Sequence, residues 1–317
     1  MLSAMRLRAL VVLCAILASS IVRAETSATF LYRLSDFSGP VPYEYPQLAP
    51  DTGRGELLVA ESDVVRVFGP SGMLVYEFVH DHDRLGPLLD AAVLEDGDVV
   101  LLSRAPMVKP GDVRALVTRC DFRGEPRRTF ELQDVPEEFA GFFGETLRVR
   151  GDRLYFASLS QKRIVVTDLD GRFQRGWDIA ATLGLTPKKA RDIELGGFDV
   201  DRQGNLYVTA PALGQGYRLS PQGVVAPFGD PGSGPGALGI AKGVAVTDTG
   251  WIVVSDLLNQ VLVVFDPALN PAASFPAAGE GAQALTAPVA VAAGREGLIY
   301  VGEMGQKAIA VFQLRTP

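Results

Sequence analysis

Only two histidines and two cysteines occur in 317 residues, and aromatic residues make up 8%. Each scarcity removes a class of chemistry. The histidines, His80 and His82, sit together in "HDHD", so a site built from several dispersed imidazoles is excluded. As i, i+2 neighbours on a loop they could share a metal with Asp81 or Asp83 if the chain curled around it, although a solvated turn is the commoner fate of such a cluster. The cysteines are Cys14 and Cys120. Cys120 lies at a strand end between Arg119 and Asp121 with no histidine nearby, which reads as structural rather than nucleophilic. A Gly-x-Ser-x-Gly elbow is missing, and "GDPGSGPGALG" (229–239) lacks the Lys-Ser/Thr ending of a phosphate loop.

Long hydrophobic runs are also lacking. The longest, Ala9 to Val22, has 14 residues, follows Arg6 and Arg8, and ends in Val22-Arg23-Ala24. It is too short to span a bilayer comfortably as a helix and reads as a secretory signal, residues 1–24, cleaved before Glu25. Leu13 ahead of Cys14 does not fit a lipidation site. Cleavage removes three arginines and no acid, which moves the formal charge from −7 to −10. A mature chain of that charge does not seek nucleic acid or anionic lipid through its overall field, and no stable membrane span remains. One cysteine is left, so no intramolecular disulfide can form, and stability must come from packing. The expected location is the periplasm or the extracellular space.

What the chain does contain is short β-like segments in series. "GVAVTDTGWIVVSDLLNQVLVVFDPALNPAASF" (243–275) reads as strand, turn, strand, break, strand, turn, strand, which is a four-stranded antiparallel meander. The order returns in 197–229 and 288–314. Counted by the second strand, copies begin at Leu57, Val99, Leu154, Leu206, Ile252 and Leu298, at spacings of 42, 55, 52, 46 and 46 residues. Such periods suit propeller blades. The fold class is therefore all-β, a six-bladed propeller over residues 25–317, with one short helical stretch between Asp178 and Glu194. The sixth copy supplies three strands before the chain ends. Its missing outer strand is "FLYRLSD" (30–36), so Phe30–Leu34 should pair antiparallel with Ile309–Leu314.

The stretch "GIAKGVAVTDTGWIVVSDLLNQVLVVFD" (239–266) closely resembles an NHL repeat. It carries the Gly-x-Ala-Val-x-Asp first strand, the Val-x-Asp ending of the second, Asn259 and the closing Val-Phe-Asp. Blades four and six match moderately, and blades one to three match in pattern. The resemblance implies a six-bladed propeller. Such propellers include binding modules, metal-dependent lyases, calcium-dependent lactonases and some intracellular RNA binders, and the fold does not choose among them.

Candidate residues follow from position. If inner strands start at the top of the ring, the loops between second and third strands share that face with the inter-blade loops. The Val-x-Asp position reads Glu61, Arg104, Ser158, Ala210, Asp256 and Glu303. Its acids either face a ligand or accept hydrogen bonds from the turn that follows, as Asp256 with Asn259 or Glu303 with Gln306 would. Starts of the first strands give Gln47, Asp90, Glu145 with Arg148, Asp199 and Lys242 near the channel. Carboxylates there could hold Ca²⁺, but the oxygen set is incomplete and Arg148 and Lys242 offer ion pairs instead. His80, His82 and Asp90 are the weak metal candidates, and no cofactor is expected beyond that Ca²⁺ alternative. The loop 132–145 carries Phe139, Phe142 and Phe143, and the loop 183–197 carries Lys188, Lys189 and Arg191. They would form either a partner-binding rim or plugs on their own blades. The sequence reading is a protein, peptide or small-ligand binding scaffold in the cell envelope. The alternative is a Ca- or Zn-dependent hydrolase or lyase with its site over the channel, and RNA binding conflicts with the acidic charge.

Overall fold

The computed structural model describes residues 25–317 apart from 108, 110–112 and 277–284. The expected signal segment, 1–24, lies outside the described residues. Six four-stranded antiparallel sheets form a ring. Their second strands are Glu56–Glu61, Val99–Arg104, Arg153–Ser158, Leu206–Ala210, Ile252–Asp256 and Leu298–Glu303, in register with the sequence period. The stretch 178–194 holds two short helices, Ile179–Thr182 and Pro187–Asp192, in place of a single helical segment. Leu185 follows a tight turn between them, and Thr186 caps the second through its hydroxyl.

Alternation explains the packing. A strand inside a blade presents successive side chains to the two neighbouring blades, so both faces must be apolar. Leu206–Ala210 and Ile252–Asp256 are buried throughout. The hydrophobic core is accordingly divided into six clusters, one between each pair of adjacent blades. Leu102, Val117, Leu147 and Phe156 fill the layer between blades two and three. Ile309 and Val311 meet Leu57, Val59 and Phe68 between blades six and one, so the last layer is packed like the others.

Closure is made by Ser27–Arg33, which forms the outer strand of blade six against Ala308–Arg315. Phe30 pairs with Phe312 and Arg33 with Ala310, with a bulge between Phe30 and Tyr32. The Leu34 amide donates to the Ile309 carbonyl at 3.0 Å. This is the pairing expected from sequence, begun three residues earlier. A buried ion pair seals it: Arg33 Nε and Nη2 both lie 3.1 Å from Glu303 Oε2, and the Glu303 side chain is fully covered. Glu303 therefore meets Arg33 and the Thr286 amide (2.9 Å), while Gln306 turns to the Thr286 hydroxyl.

Outer strands, and in blade four the third strand Gln215–Leu219, latch onto the following blade. From blade six, the Tyr32 hydroxyl donates to the Pro70 carbonyl at 3.0 Å, and from blade one Tyr76 donates to Arg123 at 3.1 Å. Arg128 bonds Asp170, Arg175 reaches the Pro221 carbonyl at 2.6 Å, and Arg218 reaches Pro267 at 3.0 Å. Each acceptor sits in the turn between the third and fourth strands of the next blade. Glycines make room there: Gly124 and Gly171 have φ of 85°, and a Cβ would lie 2.3 Å from Phe78 and 2.5 Å from Phe130 of the preceding blade. The third strand of blade six pairs instead with the N-terminal strand and offers no such turn. Blade five has Ala273 at the position of Tyr76, paired beside the bulge of its own outer strand.

Removing Arg33 should open the ring at its seam. Burial raises the Glu303 carboxyl above its ordinary 4.5, against the opposing pulls of the Thr286 amide and Arg33. A folded pKa above the unfolded one means that this group's share of stability is lost as pH rises from about 4.5 through the raised value. Arg33→Met should deepen that loss, costing about 3–5 kcal/mol at pH 7 because a buried carboxylate is left alone. The cost should shrink near pH 4, where the carboxyl is protonated. Denaturant melts at the two pH values check this.

Candidate functional site

The top-face acids are occupied by the protein's own backbone. Glu61 accepts from the Glu44 and Tyr45 amides at 2.8 and 2.5 Å. Glu145 accepts from the Leu159 and Ser160 amides at 2.8 and 3.1 Å and from the Ser160 hydroxyl. Asp256, fully buried, accepts from the amides of Gly239, Ile240, Leu258 and Asn259 and from the Asn259 side chain at 2.9 Å. An ionised carboxylate has about four lone-pair sites, so little capacity is left for a ligand.

The other sequence candidates scatter. The Arg104 guanidinium stacks on the Phe143 ring, 5.2 Å from its centroid. Phe139 and Phe143 are buried and Phe142 packs against the same core, so these rings plug blades two and three rather than form a rim. Lys188, Lys189 and Lys242 are exposed, the first two on the short helix Pro187–Asp192. Gln47 joins Glu44, Tyr45, Glu61 and Leu88 around a shallow cleft of 310 Å³.

The histidines diverge. His80 is buried, its Nε2 lying 3.0 Å from the Gly86 carbonyl, and burial lowers its pKa. His82 Nδ1 meets Asp63 Oδ2 at 2.7 Å on the surface. Asp90 belongs to the channel wall instead. Among the described residues no group of three His, Cys, Asp or Glu side chains could hold a metal ion. Cys120 is buried and its thiol is pushed up to about 12 by burial, so it stays protonated at neutral pH.

The channel gathers what remains. A cavity of 940 Å³ follows the inner strands from Leu48, Leu147 and Val291 to the turns between first and second strands, with Thr52, Gly151 and Gly204 at its mouth. It opens on the face opposite the loops that the sequence pointed to. At one level, the six inner strands contribute Ala49, Ala91, Arg148, Asp199, Ala245 and Ala292. Ala49, Ala91 and Ala292 leave space in the cavity, Ala245 packs between blades five and six, and the remaining two residues put charge on one wall. The inner strand of blade three, Thr146–Arg150, supplies Arg148 and Arg150 on the same side.

Both aspartates of this wall clip blades together. Asp90, fully buried, accepts from the Ala91 and Leu147 amides at 2.8 Å and from Arg148 Nη1 at 3.1 Å. Burial raises its pKa, and Arg148 and the amides oppose the rise. Asp199 accepts from the Val200 and Val246 amides at 2.8 Å and from Arg150 Nη2 at 3.2 Å. Arg150 also donates to the carbonyls of Val200 (2.6 Å) and Val149 (2.8 Å). Blades two to five are thus tied through the channel. Arg150 escaped the sequence reading, although the alternation in "TLRVR" puts it on the Arg148 side. Arg153, Arg175 and Arg202, also at the cavity, lie at the start of a second strand, on an outer strand and on a turn, which sequence spacing does not connect.

No protein-family model and no curated protein matches this chain. Solved structures match it over most of its length. A streptogramin B lyase is similar with a TM-score of 0.58 at 11% identity, covering 93% of this chain and 100% of that one. A Bacteroides thetaiotaomicron protein of unknown function gives 0.63 at 16%, covering 92% and 77%. A catalytically inactive histidine-to-alanine form of the Staphylococcus aureus virginiamycin B lyase, with quinupristin, gives 0.58 at 12%, covering 92% and 100%. Identities this low show the propeller fold and nothing finer.

Asp256→Ala should behave as a folding lesion. Four amides would lose their acceptor in a buried turn, with an expected cost of about 3 kcal/mol or more. Asp256→Asn, which keeps one carbonyl oxygen, should lose roughly half as much. Chemical denaturation of the two variants tests the ordering.

Proposed function

We propose that this chain is an exported six-bladed propeller of NHL type that serves as a binding scaffold in the cell envelope. The channel cavity is its ligand site. The observation that carries this reading is a contrast between faces: top-face acids are consumed by backbone amides, whereas a 940 Å³ cavity with a charged wall and an alanine-lined wall opens on the other side. Its size falls in the range of small-ligand sites, roughly 300–1,000 Å³. A ligand there would touch residues from every blade, so binding would be read by the assembled ring. The NHL assignment is supported by the pattern of residues 239–266, in which Asp256 and Asn259 occupy the motif positions and bond to each other.

Export is supported by the composition of residues 1–24. The enzymatic alternative draws support from the lyases among the structural neighbours. One of those is inactive as a histidine-to-alanine form, whereas here His80 and His82 lie on the connection between blades one and two with separate partners. A hydrolase or lyase on this chain would need other groups, and Asp90 and Asp199 already hold backbone amides.

Purification of the exported protein without a histidine tag tests both parts. Its N-terminal residue should be Glu25, and a protein retaining residues 1–24 would overturn export. Metal content should be substoichiometric, and Ca²⁺, Zn²⁺ and EDTA should leave the melting temperature unchanged. A stoichiometric metal with a chelator-sensitive melt would replace the scaffold reading with the metalloenzyme.

A further inference from the structure

We infer that the channel cavity selects small organic acids, gripping one carboxylate with the free edge of Arg148 while an apolar body rests on the alanine wall. The inference rests on the cavity being a ligand site and adds the chemistry of the ligand. It starts from the balance of donors and acceptors. Asp90 and Asp199 have their oxygens engaged by four backbone amides and two arginines. Arg150 uses Nε, Nη1 and Nη2 on Val200, Val149 and Asp199. The acceptors of the wall are therefore filled.

Arg148 differs. Its hydrogen bonds all leave from Nη1, to Asp90 at 3.1 Å and to the Leu147 carbonyl at 2.7 Å. Its Nε forms an ion pair with Asp199 at 3.7 Å, too long for a hydrogen bond, and Nη2 makes no hydrogen bond among the described residues. Nε and Nη2 form the side of the guanidinium that meets a carboxylate with two parallel bonds. Asp90 fixes the opposite side, so the fork is held in place before a ligand arrives, and its side chain keeps about a quarter of its surface accessible (23%). A bound carboxylate would supply the two short hydrogen bonds that this edge does not make to Asp199.

The surroundings fit the same ligand. All five arginines lining the cavity come from blades three and four, and five acids, Asp51, Glu95, Asp152, Asp199 and Asp248, line it too. Towards the mouth Arg153 pairs with Asp152, Arg202 with Asp248, and Arg175 bonds the Pro221 carbonyl, which leaves the Nε–Nη2 edge of Arg148 as the donor edge without a hydrogen bond. Across from them blades five, six and one present Val246, Val291, Ala292, Ala293, Ala49 and Pro50, with Asp51, Thr52 and Asp248 nearer the mouth. A strongly polar ligand such as phosphate would leave the apolar part of that wall bare, and an uncharged apolar ligand would leave the Nε–Nη2 edge of Arg148 without a hydrogen bond.

Phenylacetate and its uncharged counterpart phenylacetamide are the probes, measured by calorimetric titration and ligand-observed NMR on residues 25–317. The acid should bind at least tenfold more tightly than the amide. Arg148→Lys, which keeps a cation beside Asp90 but loses the fork, should cut that preference to threefold or less. Ala292→Leu, filling the opposite wall, should weaken both probes. Equal binding of acid and amide would overturn the carboxylate rule and leave the cavity as a ligand site. A preference unchanged in Arg148→Lys would overturn the assignment to Arg148. Failure of both probes, and of benzylamine as a cationic control, would overturn the ligand site as well. The acid-to-amide ratio of the unaltered protein decides the rule even if a variant does not fold.

Discussion

Everything in this molecule depends on joining the two ends of the described chain in one sheet. Six blades cannot bury both faces unless the first and last are neighbours, and Ser27–Arg33 against Ala308–Arg315 makes them so. Main-chain hydrogen bonds supply the direction of the pairing, and the layer of Ile309, Val311, Leu57 and Phe68 supplies the apolar burial. The Arg33–Glu303 pair adds a contact that only the closed ring can satisfy. Because all six layers are alike in kind, no layer can be lost without exposing the faces of two blades.

Polar side chains mostly maintain this ring. Tyr32, Tyr76, Arg175 and Arg218 each fasten a blade to a carbonyl in the next blade's turn. Asp90 and Asp199 perform the same task along the channel. Two series of inter-blade bonds thus bracket the apolar layers among the described residues, a peripheral one from blade six round to blade five and an axial one joining blades two to five. The price is that few charged groups remain uncommitted, and this narrows the search for function. Top-face acids that look like a ligand ring in sequence become hydrogen-bond acceptors for the loops, because a short polar side chain beside a tight turn finds an amide sooner than it finds a ligand.

The channel escapes that rule on one side. Alanines at three of the six positions, Ala49, Ala91 and Ala292, keep it open, and Arg148 and Arg150 enter from a single strand. Their neighbours in space, Asp90 and Asp199, come from blades two and four, more than fifty residues away in either direction for Arg148. The asymmetry between a guanidinium wall and an alanine wall belongs to the ring as a whole. No individual blade contains it.

The sequence alone determined the blade count, the phase of every second strand and the partner of the N-terminal strand. These follow from local alternation and a repeat period, and period-two burial leaves little freedom in where a strand begins. It also placed Asp256 beside Asn259, since those residues are three apart on one turn. Tertiary structure decided the rest: that Glu303 meets Arg33 across 270 residues, that Phe139 and Phe143 point inward, and that the open end of the channel lies on the turn face. Those outcomes depend on which residues of different blades meet at one level of the ring. Spacing within a blade does not specify that level, which the stacking of all six blades sets together.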